Sequence, residues 1–160
     1  MLRKHIPVSV PNLNTSNVTN ISYLFYGCEK LITFPEIDTS KVEHMYLFIN
    51  DCTSLKSVPA LNASKMVYGL NFSYDELPNL TEFGGLIGLK TNMNDNFAFV
   101  KTPNLTYESC INILNGLYDF TGNGEKPASL QGKLKVHRNF LTTVGSEISI
   151  GTNKGWTISA

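Results

Sequence analysis

Charge is scarce in this chain. Asp, Glu, Lys and Arg supply 16% of 160 residues, and thirteen bases balance thirteen acids, where a quarter charged is usual. Zero net charge excludes both the basic stripe of a nucleic-acid binder and an acidic disordered tail. Long apolar runs are missing too: no stretch approaches the roughly 20 residues a spanning helix requires, so no membrane insertion is expected. Cysteine is limited to Cys28, Cys52 and Cys110, an odd count without CxxC or Cys/His spacing, which argues against zinc, redox chemistry and a disulfide framework. Each reads as a small buried hydrophobe. The start, Met1-Leu2-Arg3-Lys4-His5-Ile6-Pro7, carries the charge of a secretory leader. Pro7, Ser9, Pro11 and Asn12 break the apolar run that should follow, so no export signal is read here. What is present is a 42% hydrophobic composition, enough for one domain with a continuous core, and a polar surface built on Asn, Ser and Thr.

Three segments superimpose at constant spacing: Pro11 to Val18, Pro35 to Val42 and Pro59 to Met66, each 24 residues after the last. The same step carries Cys28 onto Cys52 and Leu31 onto Leu55, and Leu80 and Leu105 continue at intervals of 25. A fixed period of this size is the mark of a stacked repeat. Within a unit, Leu31-Ile-Thr-Phe34 and Leu55-Lys-Ser-Val58 are apolar runs stopped by Pro35 and Pro59, as brief strands would be. After the Asp38-Thr39-Ser40 turn, Val42, Met45, Phe48, Ile49 and Cys52 recur at helical spacing, matching Val18, Ile21, Leu24, Phe25 and Cys28. That spacing predicts a short helix with a Ser or Thr cap in each unit. Such a unit buries its apolar face only against its neighbours, so the expected fold is α/β: a short right-handed β/α solenoid, a leucine-rich repeat of period about 24, over residues 1–105.

Residues 106–160 read as a C-terminal cap of the same domain, made of a helix and strands. Thr106 caps a helix with Tyr107, Cys110, Ile111, Leu114, Leu117 and Tyr118 on one face and Glu108 near its positive end. Beyond the Thr121-Gly-Asn-Gly124 loop, Ala128 to Val136, Ser146 to Ile150 and Gly155 to Ile158 read as strands, with a helical turn over His137 to Val144. Trp156 is expected to seal the core.

At these residues the chain resembles the bacterial surface leucine-rich repeat proteins called BspA-like, and the related repeats of mycoplasma lipoproteins. The shared unit, Leu-x-x-Leu-Pro-x-x-(Asp/Asn)-Thr-Ser-x-Val-x-x-Met-x-x-Met-Phe-x-x-Cys, is matched from Leu31 to Cys52 with Asp38, Thr39, Ser40, Val42, Met45 and Phe48 in register. The preceding copy contributes Pro11, Asn14, Thr15, Ser16, Val18, Ile21, Phe25 and Cys28; the third departs at Ala63, Gly69 and Glu76. The ending Asn153-Lys-Gly-Trp-Thr-Ile158 is similar to that of many such proteins encoded by gut bacteria and their phages. The resemblance implies a non-enzymatic protein that contacts proteins or glycans from a cell surface, the extracellular space or a virion.

Candidate chemistry is thin. His5, His44 and His137 are dispersed, and on a helix His44 would stand too far from Cys52 for a nucleophile pair. Stacking would bring Cys28 and Cys52 within disulfide range, although an interior cysteine ladder is the plainer reading. Asn92-Met-Asn94-Asp95-Asn96 mimics a calcium loop but lacks its glycine and its closing Glu; Gly122 to Lys126 lacks phosphate-loop spacing. No catalytic residue, cofactor or metal is assigned. The Asn-x-Ser/Thr triplets at Asn14, Asn17, Asn20, Asn62, Asn71, Asn79 and Asn104 read as turn formers rather than glycosylation sites.

Two surfaces remain. Tyr23, Tyr26, Tyr46, Tyr68 and Tyr74 occupy positions the apolar stripe does not demand, and together they would offer rigid amphipathic contact area. Thr33, Ser57 and Glu82 project outward from the strand ladder, a face on which solenoids commonly bind. The expected function is a leucine-rich-repeat interaction module for an unidentified protein or glycan, with self-association through the solenoid ends. The alternative is a structural part of a virion or surface layer.

Overall fold

The computed structural model describes residues 10–67, 77–90, 99–127 and 132–160, and the chain is a mixed α/β protein whose short strands pair in parallel. β1 (Ser57–Val58) and β2 (Leu61–Asn62), separated by Pro59, pair with β3 (Glu82–Phe83) and β4 (Leu86–Ile87). Ser57 faces Glu82 and Leu61 faces Leu86. One unit earlier, single parallel bridges join Asn20 to His44 and Thr33 to Ser57. The backbone is therefore paired at the 24- to 25-residue period of the sequence. The fully buried Leu31 and Leu55 lie inside this arrangement, with the Lys56 N–H on the Ile32 carbonyl at 2.8 Å. One continuous core runs from Ile21 to Trp156. Phe25, Phe34 and Phe48 cluster within it at centroid distances of 4.6 to 5.5 Å.

The short helices expected after the first two Asx turns are not formed, and most of the third lies outside the described residues. Residues 22–27 and 46–51 are turns, and the N–H groups of residues 21–28 that donate to backbone divide between two kinds of partner. Ile21, Tyr23, Phe25 and Gly27 donate across to the carbonyls of His44, Tyr46, Phe48 and Asn50, at 2.8 to 3.0 Å. Leu24, Tyr26 and Cys28 donate back three residues, at 3.1 Å. These segments are short and rich in Tyr and Phe, poor material for a free-standing helix, so bonds to the neighbouring unit win. Backbone strain is the cost: Tyr23 and Leu47, one period apart, take φ of 62° and 49°, a region that costs an L-residue roughly 1–2 kcal/mol.

The turns that open each unit are alike in chemistry. The side-chain oxygens of Asn14, Asp38 and Asn62 accept from the N–H groups of Ser16, Ser40 and Ser64 at 2.9 to 3.3 Å, an Asx turn repeated at one period.

α1 (Tyr107–Gly116) is capped by Thr106, whose side chain accepts from the Ser109 N–H. It lies where the next strand would have been and closes the edge left by β3 and β4. Ser109 Oγ accepts from the Phe83 N–H at 2.9 Å and donates to the Thr81 carbonyl at 3.0 Å. The Gly116 carbonyl accepts from the Gly88 N–H at 2.7 Å. Glycine is required at 116 because a Cβ there would stand 2.7 Å from the Leu86 carbonyl oxygen. The far end of α1 is held by Lys154, whose ammonium donates to the carbonyls of Leu114, Asn115 and Leu117 at 3.3, 2.7 and 3.1 Å. These carbonyls have no helical partner of their own.

β5 (Lys133–Lys135) pairs in parallel with β6 (Thr157–Ser159), and α2 (Arg138–Val144) lies between them in sequence with His137 Nδ1 accepting from the Asn139 N–H. Ser146 to Ile150, expected as a strand, is instead a 3-10 turn (Gly145–Ile148) running into α3 (Ser149–Thr152). None of the five residues is fully buried: Ile148 and Ile150 pack partly buried against the core, and the following Gly151 lies against Leu114, Leu117 and Ile158. Trp156 is buried, with its Nε1 donating to the Tyr118 carbonyl at 2.9 Å. Residues 128–131 of the strand expected before β5 lie outside the described residues, as do Gly69 and Glu76 of the third unit.

Candidate functional site

Three of the five tyrosines come together. Tyr23 and Tyr46 are 53% and 41% exposed, and Tyr26 beside them is half-buried. The Tyr23 ring meets Tyr46 edge-on at 5.5 Å and Tyr26 at 5.9 Å. The backbone explains the gathering: the Tyr23 N–H donates to the Tyr46 carbonyl at 2.9 Å, and the Tyr46 N–H to Ser22 Oγ at 3.1 Å. Rings on consecutive units are thereby held side by side. They border an open cleft of about 470 Å³ that also takes in Asn20, Glu43, His44 and Met66. Aromatic faces beside amide, carboxylate and imidazole groups can stack on an apolar surface and hydrogen bond around its edge. His44, expected on an exposed helix, is half-buried in this wall and belongs to a turn segment bridged to Asn20. Tyr68 and Tyr74 lie outside the described residues, as does the run Asn92 to Asn96.

The strand-face residues are aligned as well. Thr33 bridges Ser57, and Ser57 pairs with Glu82; Thr33 and Glu82 are exposed and Ser57 half-buried. At the α1 end an open cleft of about 520 Å³ joins Ser57 and Glu82 to Thr106, Glu108 and Asn112. Sequence reasoning missed Glu108 and Asn112 as neighbours of this face. The register carried the signal: Leu105 follows Leu80 at the repeat interval, so the first turns of α1 replace the next strand and bring their side chains beside Glu82.

The remaining polar groups do structural work. Asn79 and Asn104 donate their side-chain N–H groups to the carbonyls of Thr53 and Pro78, at 2.7 and 2.8 Å, stitching loops together one period apart. Asn17 accepts from Lys41 at 2.7 Å. Hydrogen bonds to Ser40 hold the Asp38 carboxyl below the usual carboxylate range. Cys28, Cys52 and Cys110 are buried free thiols; Cys52 Sγ donates to the Phe25 carbonyl at 3.1 Å. Burial pushes the Cys110 thiol up to about 11. Among the described residues no three His, Cys, Asp or Glu side chains gather as metal ligands, and no helix is long and apolar enough to cross a membrane.

Comparison with protein-family models, with curated proteins and with solved structures finds no match.

Proposed function

We propose that the chain is a short leucine-rich-repeat solenoid that binds a protein or glycan without chemistry, at a bacterial surface or on a phage particle. The parallel pairing of residues 24 to 25 apart supports the solenoid reading. One observation carries the binding reading: exposed Tyr23 and Tyr46, from two consecutive units, form one aromatic patch with half-buried Tyr26 and border a mixed polar cleft. Rigid aromatic area costs little conformational entropy on binding.

The test is a panel of arrayed glycans and immobilised extracellular proteins probed with the full chain and with a Tyr23→Ala/Tyr46→Ala variant. Binding that falls at least tenfold in the variant, with unchanged folding, is the expected result. Equal binding by both removes the tyrosine face, and turnover of a glycan or peptide substrate removes the non-enzymatic reading. The alternative of a structural part draws on exposed Leu24, Ile32, Val67 and Ile87; it predicts a stable high-order oligomer in light scattering and no panel binding.

A further inference from the structure

Cys28 and Cys52 occupy the same position in consecutive units, on backbones hydrogen-bonded up to their immediate neighbours: the Phe25 N–H donates to Phe48 at 3.0 Å and the Gly27 N–H to Asn50 at 2.8 Å. Paired strands lie about 4.8 Å apart, within the roughly 4.4–6.8 Å Cα separation a disulfide spans. Both side chains are buried in the core as free thiols. We infer that Cys28 and Cys52 form a modification site, closing a disulfide between the first two repeats when the protein meets an oxidising compartment.

The two thiols are not equivalent. Contact between the two thiols lowers that of Cys28 below its ordinary value and raises that of Cys52. Cys28 is thus the first nucleophile. With glutathione disulfide as oxidant, the Cys28 thiolate attacks one sulfur, the glutathione disulfide bond breaks, and one glutathione thiolate leaves. The Cys52 thiolate then attacks the Cys28 sulfur of this mixed disulfide and expels the second glutathione thiolate. The protein loses two electrons and two protons, and the oxidant gains them as two thiols. Cys110 pairs with neither; its thiol is raised by burial alone and serves as an internal control.

The full chain is equilibrated in glutathione redox buffer, digested with trypsin without reduction, and mapped by mass. The expected product carries one remaining thiol and a link between the peptides spanning residues 5–30 and 42–56, which hold Cys28 and Cys52. Its unfolding midpoint should stand about 5–10 °C above that of the reduced chain, as closure of a loop this long predicts. Three unreacted thiols, a link to Cys110 or a link between two chains overturns the assignment. A linked form that melts at or below the reduced one overturns the claim that the bond fits the native geometry.

Discussion

The first two units and the C-terminal third solve the same backbone problem by opposite means. Between Asn20 and Cys52 N–H groups go to carbonyls 23 to 25 residues away, fold back three residues or meet the side chains of Asn20, Asp38 and Ser22, on a backbone that takes positive φ at Tyr23 and Leu47. From Thr106 onward helices with local caps supply more of the bonds: α1 has its threonine and α2 has His137, while Lys154 and the β5–β6 pair add long-range ones. The first region depends on its neighbour for its shape. The second forms helices with their own caps, and α1 packs along the edge of β3 and β4. Long-range pairing thus permits a surface that no isolated segment would hold, and local structure terminates it.

The largest effect expected from breaking this comparison is at Phe48, fully buried between Phe25 and Phe34. Phe48→Ala should cost about 3–5 kcal/mol in denaturant unfolding. Amide exchange should lose protection through residues 21–58 while α1 keeps its own; equal loss in α1 would mean the two regions do not differ in this way. A smaller effect isolates the strain. Tyr23→Gly and Tyr23→Ala both remove the ring, but only glycine relaxes a φ of 62°. The glycine variant should be the more stable by about 1 kcal/mol, and a reversed order would show that position 23 carries no backbone strain. The smallest effect is electrostatic. Asp38 is the charged member of three equivalent Asx turns, the others being Asn14 and Asn62. Its carboxyl titrates below the ordinary value when folded. Its contribution is therefore present above the unfolded carboxylate range and lost as pH falls through the lowered folded value. Asp38→Asn should flatten the acid side of the stability profile without changing the midpoint near neutrality much.

Much of this was legible beforehand. The interval between Pro11, Pro35 and Pro59 is the interval at which the backbone pairs, and the Thr106 cap, α1, the turn at α2, β6 and the burial of Trp156 follow from periodicity and capping chemistry. The helices read into residues 18–28 and 42–52 were not real. Overlapping three-residue turns bury Ile21, Phe25, Cys28 and Leu31, a spacing that over ten residues cannot be told from one face of a helix. Partners 23 residues away decide between the two, and no local window contains them. The tyrosines stood out because the apolar stripe did not need them. Glu108 and Asn112 did not, because their place depends on α1 standing in for a strand.

The way α1 closes the ladder has a consequence for how such chains vary. Ser109 and Gly116 engage backbone atoms of Thr81, Phe83 and Gly88, not side chains peculiar to them. The receiving unit must present those N–H and carbonyl groups and a glycine at the position of Gly85, where a Cβ would stand 2.7 Å from the Asn112 carbonyl oxygen. Duplicating or deleting a whole period upstream would leave this stopper seated, so the reach of the molecule can change by increments while its end stays the same.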